Sequence, residues 1–260
     1  MTQISILIRK NRILYLLTIL AYLAMRYLNR ITDSDALLWI LAPTTRWAGI
    51  LGGIPFEYLS HEGYVNHYYR FLIAPSCSGI RFMSIVFVML IFSFVHRIPS
   101  VRSKCLWFGG SAVFAYLSTI FVNGIRIVTA IYLPIPLERA GLLNGWLNPD
   151  RLHTLIGTVI YFSSLCAIYP IALSLCSHPL LKASAPYTDD SPWRPAEKLR
   201  LLIPAFWYLL AVLIIPFAGR VLHNNWEHFD SYAVLITGTC LILLAVFSLI
   251  RRIFRSSAQN

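Results

Sequence analysis

Ala74-Pro-Ser-Cys-Ser-Gly-Ile-Arg-Phe-Met-Ser-Ile-Val-Phe-Val-Met-Leu-Ile-Phe-Ser-Phe-Val-His-Arg97 is the stretch on which the reading of this chain turns. A turn of small residues carries Cys77 and passes through Gly79 into an apolar run that ends at about Val95, with Arg81 as its one charge. Such a run reads as a membrane helix. A thiol at the mouth of that helix has two ordinary roles, packing and reactivity. Free cysteine mostly packs as a small hydrophobe, so reactivity requires other chemistry brought to the same face.

Composition agrees with the membrane reading. Of the 260 residues, 57% are hydrophobic and 13% charged, with a mean hydropathy of +0.65, and the apolar residues fall in runs suited to a bilayer. The formal net charge of +11 does not point to nucleic acid. The basic residues stand in short clusters beside apolar runs, the pattern that orients membrane proteins, and there is no zinc-finger spacing, basic helix or RNA-binding motif. Cys77, Cys105, Cys166, Cys176 and Cys240 form no CxxC pair and no metal-like spacing, which argues against a disulfide framework. The first apolar run leads into Arg26, Tyr27 and Arg30 without a small-residue cleavage site, so it reads as a retained span rather than a signal peptide.

Taken in order, Arg9, Lys10 and Arg12 precede span one, about Ile13 to Leu28, placing the N-terminus in the cytoplasm. Ala36 to Gly53 is apolar but carries Pro43 and Arg46, and is expected as an interfacial or re-entrant helix. Pro55 to Arg70, rich in Tyr, His and Glu, is expected as a short hairpin at the outer face, turning near Gly63. Span two runs from Gly79 to about Val95, before His96, Arg97, Arg102 and Lys104. Span three, about Cys105 to Val122, passes into Asn123-Gly-Ile-Arg-Ile-Val128, and Pro134 to Arg151 is an outer loop. Span four, about His153 to Leu175, precedes a Pro- and charge-bearing linker. Span five (about Leu199 to Ala218) and span six (about Tyr232 to Ile250) flank a loop with His223, His228 and Asp230, and the chain ends on Arg251, Arg252 and Arg255. The expected fold is therefore an all-α, polytopic helix bundle with about six crossings. Every basic cluster and both termini then lie on the cytoplasmic side, although Arg26 and Arg30 at the far end of span one oppose that pattern.

This layout brings three helix ends to one face, bearing Cys77, Arg126 and His153. A cysteine nucleophile needs thiolate character, which a neighbouring cation or a helix N-terminus supplies. A histidine takes and returns a proton near neutral pH, and an arginine fork stabilises an oxyanion. Arg126 stands in an otherwise apolar run, where an unpaired charge costs about 2.5–3.5 kcal/mol on insertion scales; the alternative is an arginine that snorkels to the interface. His153 taken alone reads more often as a capping or interfacial residue than as a base. Ser76 and Gly79 flank the thiol, Arg81 reads as structural or substrate-positioning, and Asn123 as orienting Arg126 or capping backbone. His61, Glu62 and His67 lack the helical spacing of a metal motif and read as a solvated, substrate-facing loop. No metal or cofactor is expected.

Ser76-Cys-Ser-Gly-Ile-Arg81, Asn123-Gly-Ile-Arg-Ile-Val128 and His153 with Gly157 resemble, in order and spacing, the signature of the exosortase/archaeosortase family, as do Gly53-Ile-Pro-Phe-Glu57, Glu62-Gly63 and the Ile73-Ala-Pro-Ser76 approach. The likeness covers roughly Ala36 to Leu175. It implies a membrane-embedded cysteine protease/transpeptidase, a sortase analogue without the sortase fold, that cleaves C-terminal sorting signals of the PEP-CTERM kind: a motif, an apolar span and a basic end. It implies Cys77 as nucleophile with Arg126 and His153 as its partners, and transfer of the exported protein to a lipid or glycan acceptor. It also implies a bacterial cytoplasmic membrane location with the site facing outward. A catalytic core over 1–176, a cytoplasmic linker over 177–198 and a two-span module over 199–260 follow, the last two lying beyond the part that resembles the family. The competing reading is a non-catalytic transport or lipid- or polysaccharide-binding protein whose outer Arg and His hold an anionic head group; a metal-dependent intramembrane protease is a third.

Overall fold

A computed structural model describes residues 3–176, 201–218 and 229–257. It is predominantly helical with one small sheet. Among the described residues, four helices are long and apolar enough to cross a membrane: Pro75–Arg97, Val101–Arg139, Pro149–Cys176 and Asp230–Arg251. They coincide with the expected spans two, three, four and six. The other two expected spans are helical but fall short by that measure. In the first, the uninterrupted apolar piece Ile13–Met25 is about 20 Å long, against about 30 Å of hydrocarbon. The fifth is the shorter helix Leu202–Ala218.

The chain divides into two compact units, Met1–Ile131 with Ile168–Arg194, and Tyr132–Ala167 with Pro195–Asn260. In the first, α1 (Gln3–Ile31) packs along α3 (Ile80–Phe94). Tyr15 stacks on Phe92 with ring centroids 4.8 Å apart, and the Ser78 hydroxyl donates to Asn29 Oδ1 at 3.2 Å. Most of the Pro75–Arg97 span is buried, because α3 is apolar on every side, as a helix enclosed by others must be. The outward side of α1 shows Leu16, Leu20 and Leu23.

The helix expected over Ala36 to Gly53 is α2, Leu38–Gly52, with Pro43 inside it. Its 15 residues span about 22 Å, too little to cross a bilayer. Gly53 ends it in the left-handed region, φ 63, with its N–H on the Gly49 carbonyl. The expected hairpin forms between β1 (Glu57–Leu59) and β2 (Gly63–Asn66). A strand not expected from the sequence, β3 (Phe71–Ile73), pairs antiparallel with β2 and gives the order β1-β2-β3. Buried Asn66 fastens the connection, donating to the Pro55 carbonyl at 2.7 Å and accepting from the Tyr69 N–H at 2.7 Å.

Span three is longer than its sequence reading. As α4, Val101–Tyr132, it runs straight through the Asn123–Val128 motif instead of ending before it. Its packed face is a stripe of small and polar residues at helical spacing, Ser111, Ala115, Thr119 and Asn123, continued by Ile127. The expected loop from Pro134 to Arg151 contains a short helix, α5 (Pro134–Arg139).

The second unit holds the first part of α6 (Pro149–Cys176), then α7 (Leu202–Ala218) with a π turn over Leu210–Ile214, and α8 (Phe229–Ser257). Phe162 meets Tyr208 edge to face at 5.7 Å, and a cavity of about 540 Å³ opens beside Trp146, Arg151, Val234 and Gly238. The expected linker 177–198, His223 and His228 lie outside the described residues.

Candidate active site

Ala74 is extended, with φ −90 and ψ 176. Pro75 fixes the entry to a 3-10 turn over Pro75–Cys77. The Cys77 N–H donates to the Ala74 carbonyl at 2.8 Å, and Ser78 N–H to that of Pro75 at 3.1 Å. Gly79 then turns into the left-handed region, φ 77, as the N-cap of α3. A side chain there would be strained, and a Cβ would stand 2.8 Å from Thr119 Cγ2 and 3.0 Å from Asn123 Cγ. Glycine at this position thus lets α4 press against the cysteine turn.

That approach brings two of the motifs together. Asn123, wholly buried, donates from Nδ2 to the Cys77 carbonyl at 2.6 Å. Arg126, one helical turn further, donates from Nη1 to Asn123 Oδ1 at 3.3 Å. Cys77 and Arg126 are 7% and 8% exposed. The carboxamide of Asn123 therefore uses both ends, one on the backbone of the cysteine and the other on the guanidinium. The turn also precedes the N-terminus of α3, where unpaired N–H groups and the helix dipole add positive potential. Gly124 has its own reason: a Cβ there would lie 2.4 Å from Trp47 Cδ1 of α2, whose ring nitrogen donates to the Phe121 carbonyl at 3.3 Å.

The remaining candidates are placed as follows. Ser76 and Arg81 are exposed beside the turn. His153 is half-buried near the start of α6, in the second unit, with Gly157 one turn beyond it. In the first unit, His61 is joined to two residues that the sequence reading passed over. Its Nδ1 lies 3.1 Å from a carboxylate oxygen of Asp33 and of Asp35, and its N–H donates to Asp35 at 2.8 Å. Asp35 also accepts from the Tyr58 hydroxyl and, at 3.1 Å, from Ser60. The hydrogen bond to Asp33, then the charge of Asp35, raises His61 above its ordinary 6.5. Asp33 is lowered, first by His61 and then by the Ala36 N–H. Asp35 is lowered by Tyr58 and then the His61 N–H, and Tyr58 is raised to about 12 by its bond to Asp35. His67 instead faces Glu57 at 3.3 Å.

Trp47 and Thr119 were equally silent in the sequence, since nothing local marks them. The Asp33–Asp35 pair could have been noticed as a concentration of acid in a chain with only 11 acidic residues. Compared with protein-family models, curated proteins and solved structures, the chain matches none.

Proposed function

We propose that this chain is a membrane-embedded cysteine peptidase and transpeptidase of the exosortase/archaeosortase kind, acting on C-terminal sorting signals of exported proteins. The observation that supports it best is the double hydrogen bond of Asn123, which ties Cys77 to Arg126 across 46 and 3 residues of sequence. A packing cysteine has no need of a buried arginine held one residue away.

In the proposed reaction His153 takes the proton of the Cys77 thiol, the sulfur adds to the scissile carbonyl, and the oxyanion is met by positive charge from Arg126 and the N-terminus of α3. The C–N bond breaks, and the amine leaves with a proton delivered by His153, the role its place in the motif order implies. The thioester is then opened by an amine or hydroxyl of a lipid or glycan acceptor, or by water, and the thiol is restored. The substrate's apolar C-terminal helix would enter from the bilayer, and the site would face away from the cytoplasm of a bacterial inner membrane.

Cys77→Ala and Cys77→Ser test this directly when the chain is co-expressed with small proteins ending in a motif, an apolar span and a basic tail. Both variants are expected to accumulate in the membrane and to leave those proteins uncut. Full processing by Cys77→Ala would remove the nucleophile and with it the reading.

A further inference from the structure

We propose that the open edge of β3 is the strand on which substrate docks. An extended segment carrying a carboxylate would pair main chain to main chain along Phe71–Ile73, which delivers it to Cys77. This rests on the reading of Cys77 as nucleophile.

Three observations lead to it. First, β3 is an outer strand of the sheet, paired with β2 on one side. The Ile73 carbonyl is turned towards β2: a Cβ on Gly63 would meet its oxygen at 2.4 Å. Inward and outward groups alternate along an antiparallel strand, so Leu72 directs its N–H and C=O to the open side, and its side chain is 43% exposed. Second, the strand is continuous with the candidate site. Ala74 is still extended, and the 3-10 turn that holds Cys77 begins at the next residue. A peptide of four residues laid along the edge covers about 13 Å, enough to follow this approach. Third, exposed Arg70 immediately precedes the strand and exposed Arg81 follows the cysteine turn. Neither makes an ion pair among the described residues, and together they complement an acidic segment. Pairing of this kind reads side chains at alternate positions while the main chain supplies affinity.

The test uses the full-length chain in detergent and an acetylated tetrapeptide vinyl sulfone, three alanines and one glutamate, to which the Cys77 sulfur adds. Companion probes carry a single backbone N-methyl group at each position in turn, and covalent addition is followed by intact mass. Iodoacetamide reports thiol access. N-methylation is expected to slow labelling about tenfold at alternate positions and little between them, since only alternate N–H groups face the edge. Leu72→Pro, which removes one outward donor to a probe carbonyl at a position where an edge strand tolerates proline, is expected to slow labelling by the unmethylated probe about tenfold and to leave iodoacetamide labelling unchanged. Labelling that is insensitive to N-methylation, or slowed equally at every position, overturns the docking strand, with no variant required. Labelling of Leu72→Pro by the unmethylated probe at the parent rate overturns it too. A Cys77 inert to iodoacetamide and to every probe would instead overturn the nucleophile reading on which the proposal stands.

Discussion

Asn123 has a demanding position in the first unit, because its amide is buried with a partner at each end. Asn123→Ala would leave the Cys77 carbonyl without its donor, at a cost of about 1–3 kcal/mol. It would also release the guanidinium of Arg126 from its hold. The expected result is a lowered Tm, with processing lost more completely than stability. Asn123→Asp separates the two bonds: the acceptor for Arg126 survives, whereas the donor to Cys77 does not. Gly79→Ala is expected to act through the same contact. It places a methyl group against Thr119 and Asn123 and demands a left-handed alanine, worth about 1–2 kcal/mol. A thermal melt of the purified variant beside its processing rate checks this. A Gly79→Ala protein that melts and processes like the parent would mean that α4 does not need this close approach.

Among the elements, the hairpin β1–β2 is tied to the segment after α1 by charges that titrate. His61 is raised, so its contribution is complete below 6.5 and is lost as pH rises through the raised value. Asp33 and Asp35 are lowered, so theirs is complete above 3.8 and is lost as pH falls through the lowered values. Tyr58, held near 12 by Asp35, stays protonated throughout. Amide exchange of residues 57–66, corrected for intrinsic rates, should therefore be slowest between 3.8 and 6.5 and speed up on either side. In His61→Asn the alkaline loss should vanish and the acid loss persist, because Asp35 keeps Tyr58 and Ser60. A second prediction concerns α2 and α4. Gly124→Ala is expected to destabilise the parent strongly and a Trp47→Leu background much less, since the methyl group collides with the indole. Additive losses in that double-mutant cycle would show that the two helices do not meet at this glycine.

At the scale of the whole molecule, what could be read from the sequence was set by range. Local patterns carried the apolar helices, the short α2 with Pro43, the hairpin around Gly63 and the cysteine turn. Contacts between distant residues carried no local signal: Asp33 and Asp35 reach His61 across 28 and 26 residues, and β3, three residues long, shows no alternation of its own. The end of span three was misplaced because Asn123 and Arg126 look like a helix boundary in one dimension, while in three dimensions they are the packed face of α4. The same distinction bears on α1, whose apolar piece is too short and is bounded by Arg12 and Arg26. Its neighbours argue that it crosses nonetheless. Asn29 meets Ser78, Met25 meets Ser84 and Tyr15 meets Phe92, so α1 runs antiparallel beside α3 from Tyr15 to Asn29. Beyond them, buried Lys104 donates to Asn11 at 2.6 Å. A bilayer crossed by α3 is therefore expected to be crossed by α1 as well, with Arg26 reaching the interface along Tyr22, to whose hydroxyl it donates at 3.2 Å. Since α2 is too short to return the chain, the N-terminus and Cys77 are expected on opposite sides of the membrane. A cysteine placed at position 3 of a chain freed of its other thiols should be shielded from an impermeant maleimide in intact cells and labelled after permeabilisation. Labelling of that position in intact cells would mean either that α1 lies along the outer surface with Cys77 on that same side, or that α1 crosses and the side on which Cys77 opens has to be reversed.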